Sequence, residues 1–290
     1  MNIKKVTAPA IRSIKSKERI GMITAYDYPS AKAADSAGAD IILVGDSLGM
    51  VVLGYPDTLR VTVADMLHHT RAAARGTARA LLVGDMPYLS YHVSIEESVR
   101  NAGEFIRAGA HAVKVEGGKR RRIKAVEAIL DAEIPVMGHI GLTPQSVNAL
   151  GGFKLQGKNG DDARRLMDEA VALDQAGCFS IVLECVPSEL AAMITDRISC
   201  PTIGIGAGPH CDGQVLVFHD LLGLYEEHTP KFVRRYAMLG DEMRTAIAQY
   251  LDDVRAGRFP NDDSESFHMS NSEELRSLYG SANVVEMPKK

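Results

Sequence analysis

The sequence predicts an α/β protein, specifically a (β/α)8 TIM barrel with an additional C-terminal helix. Eight short apolar, β-branched runs recur along the 290 residues, and most are separated by Ala-rich segments with helical periodicity. Runs that are apolar on both faces and joined by helical crossovers are typical of a parallel sheet covered on both sides. Eight such runs favour the closed barrel, and a doubly wound open sheet is the alternative.

The predicted strands are rich in Ile, Val and Leu, as strands buried on both faces usually are. They cover residues 20–26, 40–45, 80–85, 111–116, 134–139, 179–184, 201–206 and 214–219. The clearest helical segments between them read SAKAADSAGA, TVADMLHHTRAAARG, SIEESVRNAGEFIRAGA and GDDARRLMDEAVALDQAGC. Several close on A-G-A or A-G-C just before the next strand, where a glycine can take the left-handed conformation that ends a helix.

The chain is predicted to hold one catalytic domain, residues 1–260, because its length suits a barrel and no interdomain linker is visible. Residues 230–257 have helical apolar spacing and form the additional C-terminal helix, which we expect to complete the helical layer. Residues 261–290 turn polar and lack a strong period. We expect a tail there that is partly disordered or draped over the surface.

Composition excludes several classes of protein. The net charge is only −4, from 33 basic and 37 acidic residues, which argues against a nucleic-acid partner. The first residues lack the apolar core of a signal peptide, and no window approaches the uninterrupted apolar length of a membrane span. The four cysteines form no CxxC pair and are typical of free thiols in a reducing compartment. We therefore expect a cytoplasmic protein without a membrane partner.

Ionisable residues follow or end five successive predicted strands. Taken singly, each could be a turn residue, a helix cap or a core histidine. In a barrel, however, the active site lies at the carboxyl ends of the strands, so the coincidence predicts a site there. The set comprises Asp46 with Ser47, Asp85, Lys114 with Glu116, His139 and Glu184. Lys114 and Glu116, two residues apart, project to the same face of their strand.

These residue types suit a particular chemistry. Asp46, Asp85 and Glu116, without cysteine or paired histidines, form a hard oxygen environment that favours Mg²⁺. A metal at a barrel mouth can bind a small 2-oxo acid and acidify its neighbouring carbon. The set of Lys114, Ser47 and His139 could then hold the carboxylate and stabilise the enolate oxygen. Glu184 is left to act as the general base.

Two other strings bear on function. GIGAG (204–208) ends a strand but lacks the spacing of a dinucleotide fingerprint, so it indicates a tight turn or a close approach of substrate to the backbone. Residues 138–158 predict a long loop rich in Gly, Asn and Gln between a strand and a helix. Its length argues for a loop that closes over a substrate.

Several strings resemble the ketopantoate hydroxymethyltransferase family, over about residues 5–268: VGDSLGMVVLGYPDTLRVTVADMLHHT, RAGAHAVKVEGG, GHIGLTPQSVNALGGFKLQGK, LECVPSELA and GIGAGPHCDGQVLVFHDLLG. The resemblance implies a (β/α)8 barrel that binds Mg²⁺ and acts in pantothenate and coenzyme A biosynthesis. Members of the family transfer a hydroxymethyl unit from 5,10-methylenetetrahydrofolate to 3-methyl-2-oxobutanoate, giving 2-dehydropantoate and tetrahydrofolate. The resemblance also implies a large homo-oligomer, commonly a decamer.

Carried over by position, the resemblance implies metal binding by Asp46, Asp85 and Glu116. It implies substrate binding by Asp46, Ser47, Asp85 and Lys114, with His139 lining the same site, and a catalytic base at Glu184. Two alternatives stay open. One is a Mg²⁺-dependent lyase or mutase of the phosphoenolpyruvate mutase and isocitrate lyase type, although the KKCGH-like string expected there is missing. The other is a non-catalytic barrel that binds a metabolite.

Overall fold

The computed structural model describes residues 4–225, 229–270 and 277–278. Eight parallel strands pair in chain order and close into a barrel, with β1 hydrogen-bonded to both β2 and β8. The strands are β1 Ile20–Thr24, β2 Ile41–Val44, β3 Leu81–Asp85, β4 Ala112–Glu116, β5 Val136–Gly141, β6 Ser180–Glu184, β7 Thr202–Ile205 and β8 Gly213–Leu216. The barrel prediction is confirmed, and closure excludes the doubly wound open sheet.

Helices follow the strands and vary in length. Their bounds are α1 Ala8–Ser13, α2 Tyr28–Ser36, α3 Leu48–Val51, α4 Val63–Gly76, α5 Ile95–Arg107, α6 Arg120–Asp131, α7 Val147–Leu150, α8 Gly160–Ala176, α9 Ser188–Arg197, α10 Phe218–Leu221, α11 Leu239–Arg255 and α12 Asp262–Glu265. Local signals explain several ends. Thr62 caps α4 by accepting from the Asp65 N–H, and α8 ends before Gly177, whose φ is 105°, as the A-G-C string predicts.

Alternate residues of the strands fill the barrel and the rest face the helices. The interior cluster includes Met22, Ile41, Leu43, Leu81, Val83, Met137 and Val182. Helix α1 adds Ala8 and Ile11 to this cluster, and its Arg12 donates to the carbonyl of Cys178, just before β6. Helix α1 therefore covers the amino-terminal end of the barrel, and the carboxyl-terminal end is left for function.

Three strand predictions were wrong at their carboxyl ends by two residues or more. Strand β1 ends at Thr24 rather than at residue 26. Strand β5 runs on to Gly141, so His139 lies inside the strand rather than at its end. Strand β8 ends at Leu216, and His219, predicted within that strand, lies in α10. Periodicity alone cannot locate such ends, because backbone hydrogen bonding to the neighbouring strands decides where a strand stops.

The chain divides into two compact units, Met1–Met238 and Leu239–Lys290. The first holds the barrel. The second holds α11 and α12. The predicted C-terminal helix is present as α11, but it begins at Leu239 rather than at residue 230. Completion of the helical layer by α11 and the domain boundary at residue 260 stay predictions. Most of the predicted tail, residues 271–276 and 279–290, lies outside the described residues.

Candidate active site

A cavity of about 890 Å³ opens at the carboxyl ends of the strands. Every residue that the sequence singled out for the site lines it: Asp46, Ser47, Asp85, Lys114, Glu116, His139 and Glu184. The side-chain period of two explains this convergence. Asp85 lies two residues beyond Val83, and Lys114 and Glu116 lie two and four residues beyond Ala112, so all share the interior face of their strands.

Lys114 and Asp85 form a buried ion pair across neighbouring strands. The Lys114 Nζ donates to Asp85 Oδ1 at 2.6 Å and to Oδ2 at 2.7 Å, and both side chains are at most 5% exposed. The backbone N–H of Asp46 also donates to Asp85 Oδ2, at 3.2 Å. Burial lowers the pKa of Lys114, but Asp85, Glu116 and Asp46 outweigh it and raise that pKa above its ordinary value. Lys114 is therefore cationic at any physiological pH.

The pKa values of the three buried acids in the cavity, Asp46, Asp85 and Glu116, are shifted in different directions. Burial raises the pKa of Asp46 well above its ordinary value, and the negative charges of Asp85 and Glu116 add to the effect. Burial also raises the pKa of Asp85, more than Lys114 lowers it. The pKa of Glu116 is lowered instead, since His139, Lys114 and the Gln145 backbone N–H outweigh its burial. The cluster thus concentrates negative charge that a bound cation would relieve.

His139 lies between two carboxylates. Its Nδ1 is 3.2 Å from Glu116 Oε1 and its Nε2 is 3.2 Å from Glu184 Oε2, although neither contact has well-aligned hydrogen-bond geometry. Strand register sets this row, because Glu116 pairs with His139 and Gly141 pairs with Glu184. Gly141 permits the close approach of the β5 backbone to the backbone of Glu184, because a Cβ at position 141 would lie 2.2 Å from the Glu184 carbonyl oxygen.

Burial and Lys114 lower the pKa of His139, but Glu116 and Glu184 outweigh them and raise it to about 9. In the unfolded chain the pKa is about 6.5. Since the folded pKa is the higher one, the stabilisation by the imidazolium is complete below pH 6.5 and lost as the pH rises through about 9.

Chemical denaturation of metal-free protein should reveal this dependence. We expect the difference in unfolding free energy between the wild type and His139→Gln to be constant below pH 6.5 and to fall by roughly 3 kcal/mol as the pH approaches 9. The variant serves as the control for other titrating groups. A difference that stayed constant from pH 6 to pH 9.5 would show that His139 is neutral in the folded protein.

Sequence reasoning missed three buried polar residues that contact the predicted set. The Tyr26 hydroxyl lies 2.9 Å from Ser47 Oγ, and burial raises the Tyr26 pKa, so the phenol is neutral. Gln145 donates through Nε2 to Asp46 Oδ2 at 2.9 Å, and through its backbone N–H to Glu116 Oε2 at 3.1 Å. The Tyr91 hydroxyl donates to Gln145 Oε1 at 2.5 Å.

The long segment after β5 is not a structureless loop. It contains a 3-10 helix, Pro144–Ser146, followed by α7, and it supplies Phe153, Lys154 and Leu155 to the cavity wall. The glycine string at 204–208 also reaches the cavity, through Gly206 and Gly208. All four cysteines are free, as predicted, and burial raises the pKa of the one in the cavity wall, Cys185, to about 12. A thiol with that pKa stays protonated and is a poor nucleophile.

The donor set fits a hard divalent cation better than it fits a transition metal. Within residues 4–225, 229–270 and 277–278, no group of three or more His, Cys, Asp or Glu side chains is arranged to hold a metal ion. Mg²⁺, however, keeps several waters and takes only one or two protein carboxylates directly. Glu116 Oε1 is buried without a hydrogen-bond partner. Of the fully buried charged groups that line the cavity, three are carboxylates, and only Lys114 and His139 oppose them. That excess of negative charge is what a divalent cation would neutralise.

Comparison with known proteins adds to this geometry. A family model described as ketopantoate hydroxymethyltransferase matches residues 5–262. The chain belongs to this family. The 3-methyl-2-oxobutanoate hydroxymethyltransferase of Syntrophomonas wolfei subsp. wolfei is 60% identical over 85% of this chain and 89% of its own. The enzyme of the same name from Syntrophus aciditrophicus is 56% identical over 90% of this chain and 96% of its own.

Membership of the ketopantoate hydroxymethyltransferase family makes this chain an enzyme of the hydroxymethyltransferase class. A solved phosphoenolpyruvate phosphomutase from Streptomyces platensis subsp. rosaceus has a similar fold, with a TM-score of 0.58 over 94% of this chain and 95% of its own, at 14% identity. That likeness shows a shared fold alone, and gives the lyase or mutase alternative no further support. No helix in the described part of the chain has the length and apolar character of a membrane span.

Proposed function

We propose that this enzyme transfers a hydroxymethyl unit from 5,10-methylenetetrahydrofolate to 3-methyl-2-oxobutanoate, giving 2-dehydropantoate and tetrahydrofolate in pantothenate and coenzyme A biosynthesis. One observation carries the proposal: a buried ion pair, Lys114 with Asp85, lies in the same cavity as the row of Glu116, His139 and Glu184. The first group suits a 2-oxo acid and its metal, and the second suits the removal of a proton from it.

Mg²⁺ would be held by Asp46, Asp85 and Glu116, directly or through water, and when bound it would polarise the carbonyl of the oxo acid. Lys114 and Ser47 would bind the carboxylate end of that acid. Both residues line the cavity, and Lys114 is cationic while the Ser47 hydroxyl is held by Tyr26 at 2.9 Å. A fixed hydroxyl and a fixed ammonium favour one orientation of the acid over others.

Glu184 would accept the proton from C3 of the oxo acid. It ends β6, and its side chain is 18% exposed, which makes it the most exposed member of the row. The His139 Nε2 lies 3.2 Å from Glu184 Oε2 and orients the carboxylate in the cavity. The enolate forms a C–C bond to the methylene carbon as the bond from that carbon to one folate nitrogen breaks, and this nitrogen takes the proton that Glu184 removed. Water then supplies the hydroxyl group of the product as the second C–N bond breaks, and its remaining proton goes to the second folate nitrogen.

The cavity leaves space for the second substrate. Its volume of about 890 Å³ is near the upper end for ligand sites, whereas the oxo acid is small. Apolar and aromatic side chains, including Leu142, Phe153 and Phe232, line the wall together with the acids. A flat heteroaromatic ring such as that of the folate suits a wall of this kind.

Proton NMR of 3-methyl-2-oxobutanoate in D₂O tests the proposal. With the purified protein and Mg²⁺ we expect the C3 proton signal to disappear, and EDTA should stop the loss. Addition of 5,10-methylenetetrahydrofolate should then yield 2-dehydropantoate. A C3 signal that persists with Mg²⁺, with and without the folate, would contradict the proposed substrate and favour another oxo acid or a metabolite-binding barrel.

A cytoplasmic location and a homo-oligomeric assembly, commonly a decamer in this family, belong to the same proposal and rest on the resemblance. Light scattering coupled to gel filtration measures the assembly directly. A monomer at micromolar concentration would contradict that part of the proposal without touching the chemistry.

A further inference from the structure

Gln145 makes four hydrogen bonds from a buried position outside the cavity wall. It lies in the 3-10 helix after β5 and is 4% exposed. Its Nε2 donates to Asp46 Oδ2 and to the carbonyl oxygen of Met86, both at 2.9 Å. Its backbone N–H donates to Glu116 Oε2, and its Oε1 accepts from Tyr91. One residue thereby connects the ends of β2, β3 and β4.

The carbonyl of Met86 determines which way the Gln145 amide faces. A backbone carbonyl can only accept, so the amide nitrogen must lie on the side of Met86 and Asp46. The amide oxygen then faces Tyr91, whose hydroxyl must be the donor. Tyr91 in turn accepts from the backbone N–H of Glu116, at 3.2 Å. Every polar atom of the amide is satisfied in this arrangement and would not be in the flipped one.

Gln145 donates a hydrogen bond to one carboxylate oxygen of each of two cavity acids. It takes Oδ2 of Asp46 through its side chain and Oε2 of Glu116 through its backbone. Glu116 Oε1 is left without a hydrogen-bond partner and faces His139 and Lys114. In Asp46, Oδ1 is the oxygen that Gln145 does not contact.

Contacts between Tyr91 and Arg122 stabilise this arrangement. The Arg122 guanidinium lies 4.3 Å from the centre of the Tyr91 ring. Its Nε donates to the Glu116 carbonyl at 2.8 Å and its Nη1 donates to the Tyr91 carbonyl at 2.9 Å. The hydroxyl of Tyr91 is therefore fixed in direction, and a fixed donor restricts the rotation of the Gln145 amide.

We propose that Gln145 is a positioning residue that determines which carboxylate oxygens of Asp46 and Glu116 face the cavity, with Tyr91 as its anchor. Gln145 and Tyr91 are not part of the cavity wall, so they act through the two acids rather than on a ligand. The proposal deepens the proposed function and rests on it for the identity of the ligands, a divalent cation and a 2-oxo acid. Partners of this kind orient ligating carboxylates in other metal sites.

Gln145→Met tests the proposal because it keeps the volume and the backbone N–H but removes the side-chain donors and acceptor. We expect the Kd for Mn²⁺, followed by electron paramagnetic resonance as a probe of the Mg²⁺ site, to rise about 10- to 100-fold. The KM for 3-methyl-2-oxobutanoate in the exchange assay should rise with it, and kcat should change less. Gln175→Met, the same change at an exposed position of α8, is the matched control and should leave both constants unchanged.

A merely structural role predicts a different result: a lower melting temperature, with an unchanged Mn²⁺ Kd and KM in the folded variant. That result would overturn the proposal. Tyr91→Phe removes one hydroxyl and keeps the ring on Arg122, so it decides the matter if Gln145→Met does not fold. It should raise the Mn²⁺ Kd in the same direction, and an unchanged Kd would overturn the proposal.

The double variant should be little worse than Gln145→Met alone, because the two residues act through one contact; fully additive effects would contradict the anchoring role of Tyr91. Failure of the proposed function has a separate signature. A wild type that binds Mn²⁺ but exchanges no C3 proton would contradict the proposed function, and the Mn²⁺ comparison would still test Gln145.

Discussion

Glu184→Gln is expected to lower the rate of exchange of the C3 proton of 3-methyl-2-oxobutanoate by about 10²- to 10⁴-fold. The amide matches the carboxylate in size but cannot accept the proton. Proton NMR in D₂O with Mg²⁺ measures the rate directly, without the folate. Because the assay reports one step, a loss there assigns the defect to proton removal rather than to one-carbon transfer.

Binding should survive the same substitution. Glu184 contacts His139 at 3.2 Å, whereas the Lys114 ion pair is made by Asp85. The Mn²⁺ Kd and the affinity for the oxo acid are therefore expected to stay within a few-fold of the wild type. Glu189→Gln, an exposed glutamate in the first turn of α9, is the matched control and should exchange normally. Near-normal exchange in Glu184→Gln would remove Glu184 from the role of base.

The barrel and the placement of its acids could be predicted from the sequence for one physical reason. A strand buried on both faces is an uninterrupted apolar run, and its side chains alternate between faces. Asp85 therefore had to lie on the side of Val83, and Lys114 on the side of Glu116. Parallel pairing then brought the ends of neighbouring strands together, so residues distant in sequence converge at one mouth.

The pairing within the site could not be predicted in the same way. Spacing places Lys114 and Glu116 on one face, but Lys114 lies 2.6 Å from Asp85 and 3.9 Å from Glu116. That choice depends on the register between β3 and β4, in which Asp85 lies opposite Lys114. Gln145 was missed because its contact with Asp46 joins residues 99 positions apart. A glutamine in the first turn after a strand end is the sequence signal that could have found it.

Charge balance connects the fold to the chemistry. The barrel buries Asp46, Asp85 and Glu116 together, which is costly unless cations compensate them. Lys114 and His139 compensate in part, and both pKa values are raised by these acids. A divalent cation would neutralise the remaining negative charge, whereas a bare oxo acid would add to it. A residue that supplies positive charge here should therefore matter to stability as well as to activity.

Lys114→Met is expected to lower the unfolding free energy of the metal-free protein by about 3–5 kcal/mol, because it leaves Asp85 buried without its partner. Methionine retains most of the side-chain volume, so the loss reports on charge rather than on packing. Urea denaturation at neutral pH measures it. Lys124→Met, the same change at an exposed position on α6, is the control and should lie within about 0.5 kcal/mol of the wild type.

If the loss of stability in Lys114→Met arises from charge, two further results are expected. Carboxyl groups whose folded pKa is raised take up protons on folding, so the loss should be smaller in mildly acidic buffer than at neutral pH. Adding Asp85→Asn should recover part of the stability, since position 85 then carries no unpaired charge, but it should not restore oxo-acid binding. A loss that is independent of pH and unaffected by Asp85→Asn would assign Lys114 to packing. Recovery of stability without activity would instead show that the ion pair is kept for the substrate rather than for the fold.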